Sequence, residues 1–279
     1  MPSDIGLEMY AEKPVLMPPF TGHLARGLLL HMVRRVDPAA SSLLHELNVS
    51  KPYSVTPLRF RSIHGSEGGY VLDPSSPCRV NFRLLRDDHA GLLIRYFQGQ
   101  GEVLIYDTVF RVASLSFKSK SYEELEREAR STERFRLIFS SPTYLTTLGS
   151  RFHSMFPDPV RVFTNLMRTW NNFSDGRRFG KEDHQSYREW LERNVGVCEY
   201  ELRTRLAPMR LKRVVGFMGW ATYEMGDEGE WNRVTSMLAR FAEFSNIGGN
   251  KTGGFGVTRF IPRVEEKRRR VETGPVEEP

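Results

Sequence analysis

A glycine-rich stretch near the end of the chain has the residue types of a phosphate-binding loop. Lys251 lies among five glycines that fall within nine residues: Gly248, Gly249, Gly253, Gly254 and Gly256. Glycine permits left-handed backbone and the close approach of other groups. Successive N–H groups without side chains can form an anion-binding nest. The stretch therefore predicts either a phosphate site or a flexible surface turn.

Two familiar nucleotide-binding loops do not fit this stretch. A Walker A loop needs a glycine before its Lys-Ser/Thr pair and runs from a strand to a helix, whereas Asn250 precedes Lys251-Thr252. The dinucleotide fingerprint also runs from strand to helix. Here a helical pattern (Trp231 to Phe244) precedes the glycines and a strand pattern (Phe255 to Ile261) follows them. The reversed order excludes both motifs.

Side chains that could hold a metal ion form two short acidic clusters, Asp87-Asp88-His89 and Glu182-Asp183-His184. A metal-dependent nuclease would need such carboxylates to converge. Both clusters stand where helices are predicted to start, and acids there interact favourably with the helix dipole. The cysteines, Cys78 and Cys198, are far apart and form no metal pattern. We therefore expect neither a metal nor another cofactor.

Composition narrows the class of protein. The 279 residues suffice for one large domain or two small ones, and a hydrophobic fraction of 39% with 18 Phe can supply a core. The net charge of +6 and the isoelectric point of about 9.4 favour a polyanionic partner, although ordinary surfaces are often this basic. No stretch approaches the roughly 20 apolar residues of a membrane span, and there is no secretion signal. We expect a cytoplasmic protein without membrane contact.

The first half of the chain has the element order β-α-β-β-α-β. The predicted elements are a strand at Ile5 to Met17, a helix at Gly22 to Val36, a short helix after Asp37-Pro38, a strand at Lys51 to Arg61, a turn-rich loop at Gly65 to Pro77, a strand at Arg79 to Leu85, a helix at Asp87 to Phe97 and a β-rich run at Glu102 to Phe117. The apolar stripe of the short helix is Ala40, Leu43, Leu44 and Leu47. This order is typical of a ferredoxin-like module.

The second half repeats the order with one extra helix. Its predicted elements are a helical linker at Glu123 to Arg130, a strand at Phe135 to Phe139, helices at Pro159 to Phe173 and Asp183 to Arg193, a hairpin of Val197 to Leu206 and Val214 to Met225 joined through Ala207-Pro208, and the helix and strand around the glycines. We predict an α+β fold of two tandem ferredoxin-like (RRM-like) β-α-β-β-α-β domains with a C-terminal glycine-rich loop. The domains are residues 1–120 and 121–262, and a charged tail, 263–279, is predicted to be disordered.

The segment from Asn246 to Gly256 closely resembles the C-terminal glycine-rich loop of the CRISPR repeat-RNA endoribonucleases, members of the RAMP superfamily. That family often has Gly where Asn246 stands. Other segments resemble family blocks in the same order: residues 43–45 with 51–58 in the first domain, then 139–143 and 215–220 in the second. The resemblance spans most of the chain and implies the tandem ferredoxin-like fold.

The resemblance also implies an activity. Such enzymes cleave repeat RNA in the precursor transcript without a metal, because RNA carries its own nucleophile, the 2′-OH beside the scissile phosphate. The implied products are a 2′,3′-cyclic phosphate and a 5′-hydroxyl. The implied partners are CRISPR repeat RNA, the precursor of the guide RNA, and a CRISPR effector complex that receives the guide. A homodimer stays open.

His45 stands where the family has its catalytic histidine, and Lys51 follows in the family's order. The resemblance implies that His45 acts as general acid or base and that Lys51 stabilises the transition state. His45 also falls off the leucine stripe of its helix, toward solvent or a groove. The alternatives are a plain surface histidine and a solvated lysine at a strand end.

Other residues are candidates for assistance. His31 borders an apolar stripe, so we expect a partly buried packing residue and keep it as the second catalytic candidate. Tyr53 is a weaker one, since it alternates with Val55 as a strand core residue. The predicted RNA contacts are Lys251 at the loop tip with the five glycines, and the basic residues Arg59, Lys212 and Arg259.

A rival function belongs to another class. Members of the superfamily share the fold and the glycine loop without cutting RNA, so the chain could be a non-catalytic RNA-binding subunit of a CRISPR effector complex. Only the pair of His45 and Lys51 separates the two hypotheses in the sequence.

Overall fold

The structure is a computed structural model that describes residues 1–46, 50–66, 68–146, 150–209, 212–226 and 229–262. The charged tail from Arg263 and the last member of the predicted leucine stripe, Leu47, lie outside these ranges. None of the helices in the described ranges has the length and apolar character needed to cross a bilayer.

The first half builds a five-stranded antiparallel sheet. Its elements are β1 (Ser3–Ala11), β2 (Val15–Met17), α1 (Gly22–Val36), α2 (Pro38–His45), β3 (Tyr53–Val55), β4 (Ser62–Ser66), β5 (Gly69–Leu72), β6 (Cys78–Leu84), α3 (Asp87–Gly99), β7 (Glu102–Ile105) and β8 (Thr108–Ser119). The strand order is β3-β6-β1-β8-β7, and β2, β5 and β4 form a separate small sheet. The alternating buried residues of β1 pair with those of β6, as Ile5 with Phe82 and Leu7 with Val80, so one face of the sheet packs on α1 and α3.

The second half builds a four-stranded antiparallel sheet. Its elements are α4 (Tyr122–Arg127), β9 (Arg134–Thr143), β10 (Leu145–Thr146), β11 (His153–Ser154), α5 (Pro159–Phe173), α6 (Lys181–Asn194), β12 (Val195–Met209), β13 (Lys212–Met225), α7 (Glu230–Ser245), a single 3₁₀ turn (Lys251–Gly253) and β14 (Thr258–Pro262). The strand order is β12-β13-β9-β14. Its core of large aromatics includes Phe135, Trp170 and Tyr223.

The predicted fold class is confirmed. Each large sheet contains the ferredoxin-like order, in which the first strand lies between the third and the fourth: β6-β1-β8 in one half and β13-β9-β14 in the other. The extra helix of the second half is α6, which begins at Lys181 as the acidic first turn indicates. The bounds of α5 are those expected from its apolar spacing.

Several details of the sequence prediction were wrong. The first strand is two strands, and the loop at Gly65 to Pro77 contains β5, which pairs with both β4 and β2. Leu43 is 62% exposed, so the stripe of α2 is narrower than expected. The predicted hairpin of the second half exists, but Ala207 and Pro208 lie inside β12 and pair with β13.

The two halves meet at a small apolar cluster. Phe20, before α1, packs against Phe255, which follows the 3₁₀ turn, with their ring centroids 4.9 Å apart. Ala207 of β12 completes the buried cluster. The glycine-rich stretch is therefore enclosed between α1, β3 and the second sheet, and its neighbours define the candidate site.

Candidate active site

In the glycine-rich loop, the N–H groups of the five glycines already have acceptors within the protein. Its glycine N–H groups donate within the protein as follows: Gly248 to Asn165 Oδ1 at 3.1 Å, Gly249 to the Tyr144 carbonyl at 3.1 Å, Gly253 to that of Asn250 at 2.9 Å, Gly254 to that of Lys251 at 3.2 Å, and Gly256 to that of Pro142 at 3.1 Å. A phosphate nest needs free N–H groups. The glycine N–H groups therefore serve the packing of the loop in this structure, and RNA contact by these glycines stays a prediction.

The glycines are needed for close approach between the two halves. Gly254 has φ +83°, and a Cβ there would lie 2.9 Å from the Cα of Gly22 at the start of α1. A Cβ on Gly22 would in turn lie 1.9 Å from the carbonyl oxygen of Gly253. Real side chains cannot occupy such positions, so only glycine on both segments allows the loop to pack on α1.

Asn246 opens the loop and joins it to the first sheet. Its φ of +56° is in the left-handed region that favours glycine but that asparagine tolerates. Its side chain accepts a hydrogen bond from Arg83 at 2.6 Å and donates to the carbonyls of Val55 at 3.1 Å and Phe255 at 2.9 Å. The departure from the family's usual glycine therefore adds three buried hydrogen bonds.

Lys251 does not lie at an exposed loop tip as expected. Lys251 is partly buried, and its Nζ donates a hydrogen bond of 2.9 Å to the Thr169 hydroxyl of α5. Burial lowers the pKa of its ammonium from 10.5 to about 8. RNA contact through Lys251 stays a prediction, and in this structure the lysine has an internal partner.

The Lys51 ammonium lies at the end of the helix that carries His45. His45 is the last residue of α2 and is exposed, as its position off the leucine stripe indicates. The Lys51 ammonium donates to the carbonyl of Glu46, the residue that follows His45. Desolvation lowers the pKa of Lys51; Glu46 opposes the shift, and Arg26 adds to it.

Arg26 of α1 is a member of the site that the sequence analysis missed. Its charge acts on Lys51 and also on the hydroxyl of Tyr53, whose pKa is raised because burial outweighs the opposing effect of Arg26. Tyr53 is buried, in accord with a strand core residue. In the sequence of α1, Arg26 looks like any charged residue on the solvent-facing side of a helix. Only the packing of α1 beside β3 shows that Arg26 belongs to the site.

His31 is placed differently from the expectation. It is exposed rather than partly buried. Five residues separate it from Arg26, which corresponds to about 140° around the helix axis, so it faces away from the group of Arg26, Lys51 and Tyr53.

The remaining predicted RNA contacts lie on both sheets. Arg59 is exposed, and its backbone pairs with that of Arg79 in β6, while Arg259 is exposed on β14 opposite Ile138. Lys212 begins β13, and its side chain lies outside the described part of the chain.

The two acidic clusters have structural roles. Asp87 pairs with the N-terminal ammonium and Asp88 with Arg86, each at 3.3 Å, at the start of α3. Asp183 accepts the N–H of Gly180 at 2.7 Å at the start of α6. Among the described residues no group of three His, Cys, Asp or Glu side chains could hold a metal ion.

Comparison with known proteins confirms the resemblance inferred from the sequence. Residues 137–258 match the family model of the CRISPR-associated endoribonuclease Cas6. A curated relative, the CRISPR-associated endoribonuclease Cas6 of Mycobacterium tuberculosis, is 25% identical over 137 residues, which is 49% of this chain and 42% of the relative. The match thus spans less than half of the relative's length.

Solved structures share the fold over nearly the whole chain. A Cas6 product complex superposes with a TM-score of 0.79 at 24% identity, and the match covers 94% of this chain and 100% of the other. Cas6 of Thermus thermophilus gives 0.72 at 24% identity, with 94% and 98% covered. A Cas6-related protein of Pyrococcus furiosus gives 0.62 at 11% identity, with 94% and 99% covered. At these identities the likeness establishes the double ferredoxin-like fold.

Proposed function

We propose that the protein is an endoribonuclease that cleaves CRISPR repeat RNA in a precursor transcript and so releases guide RNAs. The observation that carries the proposal is the hydrogen bond from the Lys51 ammonium to the carbonyl of Glu46, the residue that follows the exposed His45 in the chain. The family match and the product complex among the structural neighbours support the same substrate class.

The reaction would be a transesterification within the RNA. The 2′-oxygen on the 5′ side of the cut attacks phosphorus, the bond from phosphorus to the 5′-oxygen breaks, and the products are a 2′,3′-cyclic phosphate and a 5′-hydroxyl. One proton leaves the 2′-hydroxyl and one reaches the departing 5′-oxygen. His45 is assigned one of these transfers, since an imidazole is suited to general acid–base work near neutral pH.

Two cationic side chains would stabilise the charge on the phosphate in the transition state. Charge on the non-bridging oxygens grows as the fifth oxygen joins phosphorus, and fixed cations stabilise it. The Lys51 ammonium, which donates to a backbone carbonyl in the free protein, would exchange that acceptor for a phosphate oxygen. Arg26 lies close enough to act on Lys51 electrostatically and supplies the second charge.

The glycine loop would act as a joint rather than a nest. It fixes α1 and β3, which carry Arg26 and Tyr53, against the second half of the chain. Arg59, Lys212 and Arg259 remain proposed phosphate contacts, which would supply affinity that weakens with salt. The proposed compartment is the cytoplasm, the proposed recipient of the product is a CRISPR effector complex, and a homodimer stays open.

A cleavage assay with two altered conditions tests the reaction. In excess EDTA, wild-type protein should cut repeat RNA at an unchanged rate, because the proposed step uses protein groups and the RNA's own hydroxyl. A substrate with one 2′-deoxy sugar on the 5′ side of the cut should bind and stay intact. Activity that disappears with EDTA and returns with Mg²⁺, or hydrolysis of the deoxy substrate, contradicts the mechanism.

The non-catalytic alternative predicts a different result in the same assay. A pure RNA-binding subunit would bind the repeat tightly and leave it uncut under all of these conditions. An exposed His45, followed by the residue whose carbonyl accepts the Lys51 ammonium, favours the enzyme.

A further inference from the structure

A groove on the helical side of the second half carries three arginines outside the candidate active site. Its volume is about 520 Å³. It lies between α5, α6 and β10, and its basic lining residues are Arg161, Arg168 and Arg188. The groove is large enough for a ligand of nucleotide size or above.

The carboxylates of the groove are already engaged. Asp158 caps α5 by accepting the N–H of Arg161 at 2.9 Å. Glu192 pairs with Arg188 at 3.1 Å one turn away on α6, and both side chains are at least half exposed. Exposed ion pairs of this kind contribute little to stability, so Arg188 can exchange Glu192 for an incoming anion.

Arg168 is the most available cation of the groove. It is exposed, and in the described ranges no carboxylate forms an ion pair with it. Its positive charge reaches His184, whose pKa is lowered mainly by burial and further by Arg168. A phosphate would meet an uncompensated guanidinium here.

An exposed aromatic residue lies next to the strand that pairs with β10. Thr146, a lining residue, pairs with His153 of β11. Phe152, the residue before His153, is 68% exposed, and the Arg151 guanidinium lies 5.0 Å from its ring centroid. Phe152 thus adjoins the strand partner of a groove-lining residue. Proteins bind single-stranded nucleic acid with basic grooves and exposed aromatic rings of this kind.

One face of α5 connects the groove with the candidate active site. Asn165, a lining residue, accepts the N–H of Gly248 in the glycine loop, and Asn172 donates to the Ser50 hydroxyl beside Lys51 at 2.9 Å. Arg168 lies between these two positions on the helix. From Arg161 to Asn172 the helix rises by about 16 Å, a distance that a few nucleotides of RNA can span.

We propose that this groove binds the single-stranded RNA that flanks the cleaved phosphate. Arg168 and Arg188 bind backbone phosphates, and an unpaired base stacks on Phe152. The inference rests on the proposed RNA function, and it adds a subsite that is distinct from the group around His45.

Binding of a 12-nucleotide 2′-O-methyl oligouridylate, which has no stem and cannot be cleaved, tests the subsite. Arg168→Gln with Arg188→Gln should weaken binding about tenfold per arginine and reduce the salt slope by about 1.4, the value for two phosphate contacts on a single strand. Phe152→Ala should weaken it roughly five- to hundredfold. The control is Arg95→Gln, which removes the same charge from an exposed position on α3 and should change affinity less than twofold.

The inference is wrong if wild-type protein does not bind the oligouridylate, or if the arginine double variant binds it as tightly as the control does. It is also wrong if Phe152→Ala binds the oligouridylate as wild type does while the arginine double variant loses affinity for a 12-base-pair RNA duplex. Thermal melts of each variant confirm folding, since all three side chains are outside the core. Cleavage of repeat RNA by the same wild-type preparation separates the groove proposal from the proposed function. If wild type cleaves repeat RNA and the double variant binds the oligouridylate normally, only the groove proposal is refuted. If wild type does not cleave repeat RNA, the proposed function is refuted.

Discussion

The guanidinium of Arg83 in β6 donates a hydrogen bond of 2.6 Å to the side-chain oxygen of Asn246 at the end of α7, 163 positions away in the sequence. Arg83 is only 8% exposed, and its other partner is Asp4 at 3.3 Å. The pair joins the first sheet to the start of the glycine-rich loop. It gives a physical reason for asparagine where the resembling family often has glycine.

Asn246→Gly should lower the free energy of unfolding by about 1–3 kcal/mol, because a buried guanidinium loses a partner. Asn246→Ala should cost more, since alanine is also strained at a φ of +56°. Chemical denaturation of the two variants beside wild type measures both effects. A glycine variant as stable as wild type would show that the three side-chain bonds contribute nothing.

Gly22 and Gly27 form a matched pair on α1. A Cβ on Gly22 would meet the Gly253 carbonyl, whereas a Cβ on Gly27 has no heavy atom within 4 Å. Gly27→Ala should therefore raise stability by roughly 0.5–1 kcal/mol, as alanine does in a helix. Gly22→Ala should lower it by about 1–3 kcal/mol through overpacking. Thermal unfolding decides, and equal shifts in both variants would refute the close packing of the loop on α1.

Lys251 should make stability depend on pH. Its pKa of about 8 lies below the ordinary 10.5, so between these values the unfolded chain binds more protons than the folded one. The cost of burying the charged form is therefore fully present below pH 8 and disappears as pH rises toward 10.5.

The measurement is the stability of Lys251→Met relative to wild type. The amount by which the free energy of unfolding of Lys251→Met exceeds that of wild type at pH 7.5 should fall by about 2 kcal/mol by pH 9.5. The reason is that only wild type loses the cost of burying a charged ammonium as pH rises. Lys181→Met, which removes an exposed lysine at the start of α6, should keep a constant difference. A constant difference for Lys251→Met as well would show that its ammonium is hydrated in the folded protein.

The sequence was most informative where a pattern is local. Pro159 and the apolar spacing that follows define α5, and the order of strands and helices predicts both sheets. The role of the glycines was not predictable, because a phosphate nest and a tight joint both require glycine. The acceptors that decide between them, on Pro142, Tyr144 and Asn165, lie more than 80 residues earlier in the chain.

Other parts of the site depend on tertiary register in the same way. Arg26 becomes special only because β3 brings Lys51 and Tyr53 next to α1. Arg168 is one exposed arginine among many until β10 closes a groove beside it. The segment taken as a loop around Gly69 forms a strand because β2, far away in the sequence, supplies a partner.

Lys51 should contribute to the rate rather than to the fold. Lys51→Ala removes the cation proposed to stabilise the phosphate, and loss of one such group costs about 10²–10³ in rate. Lys51→Arg should recover part of that loss, since it keeps the charge. Single-turnover rates at saturating protein separate this effect from binding, and a normal rate for the alanine variant would remove Lys51 from the mechanism.

The most direct test of the central claim is the single-turnover cleavage rate of His45→Ala on repeat RNA. Loss of a general acid or base should slow cleavage about 10²–10⁴-fold, while RNA binding persists and stability changes by less than about 0.5 kcal/mol, because the side chain is exposed. His31→Ala, equally exposed on α1 but facing away from Lys51, should cut at the wild-type rate. A folded His45→Ala that cuts normally, with or without a dead His31→Ala, would contradict the assignment of His45.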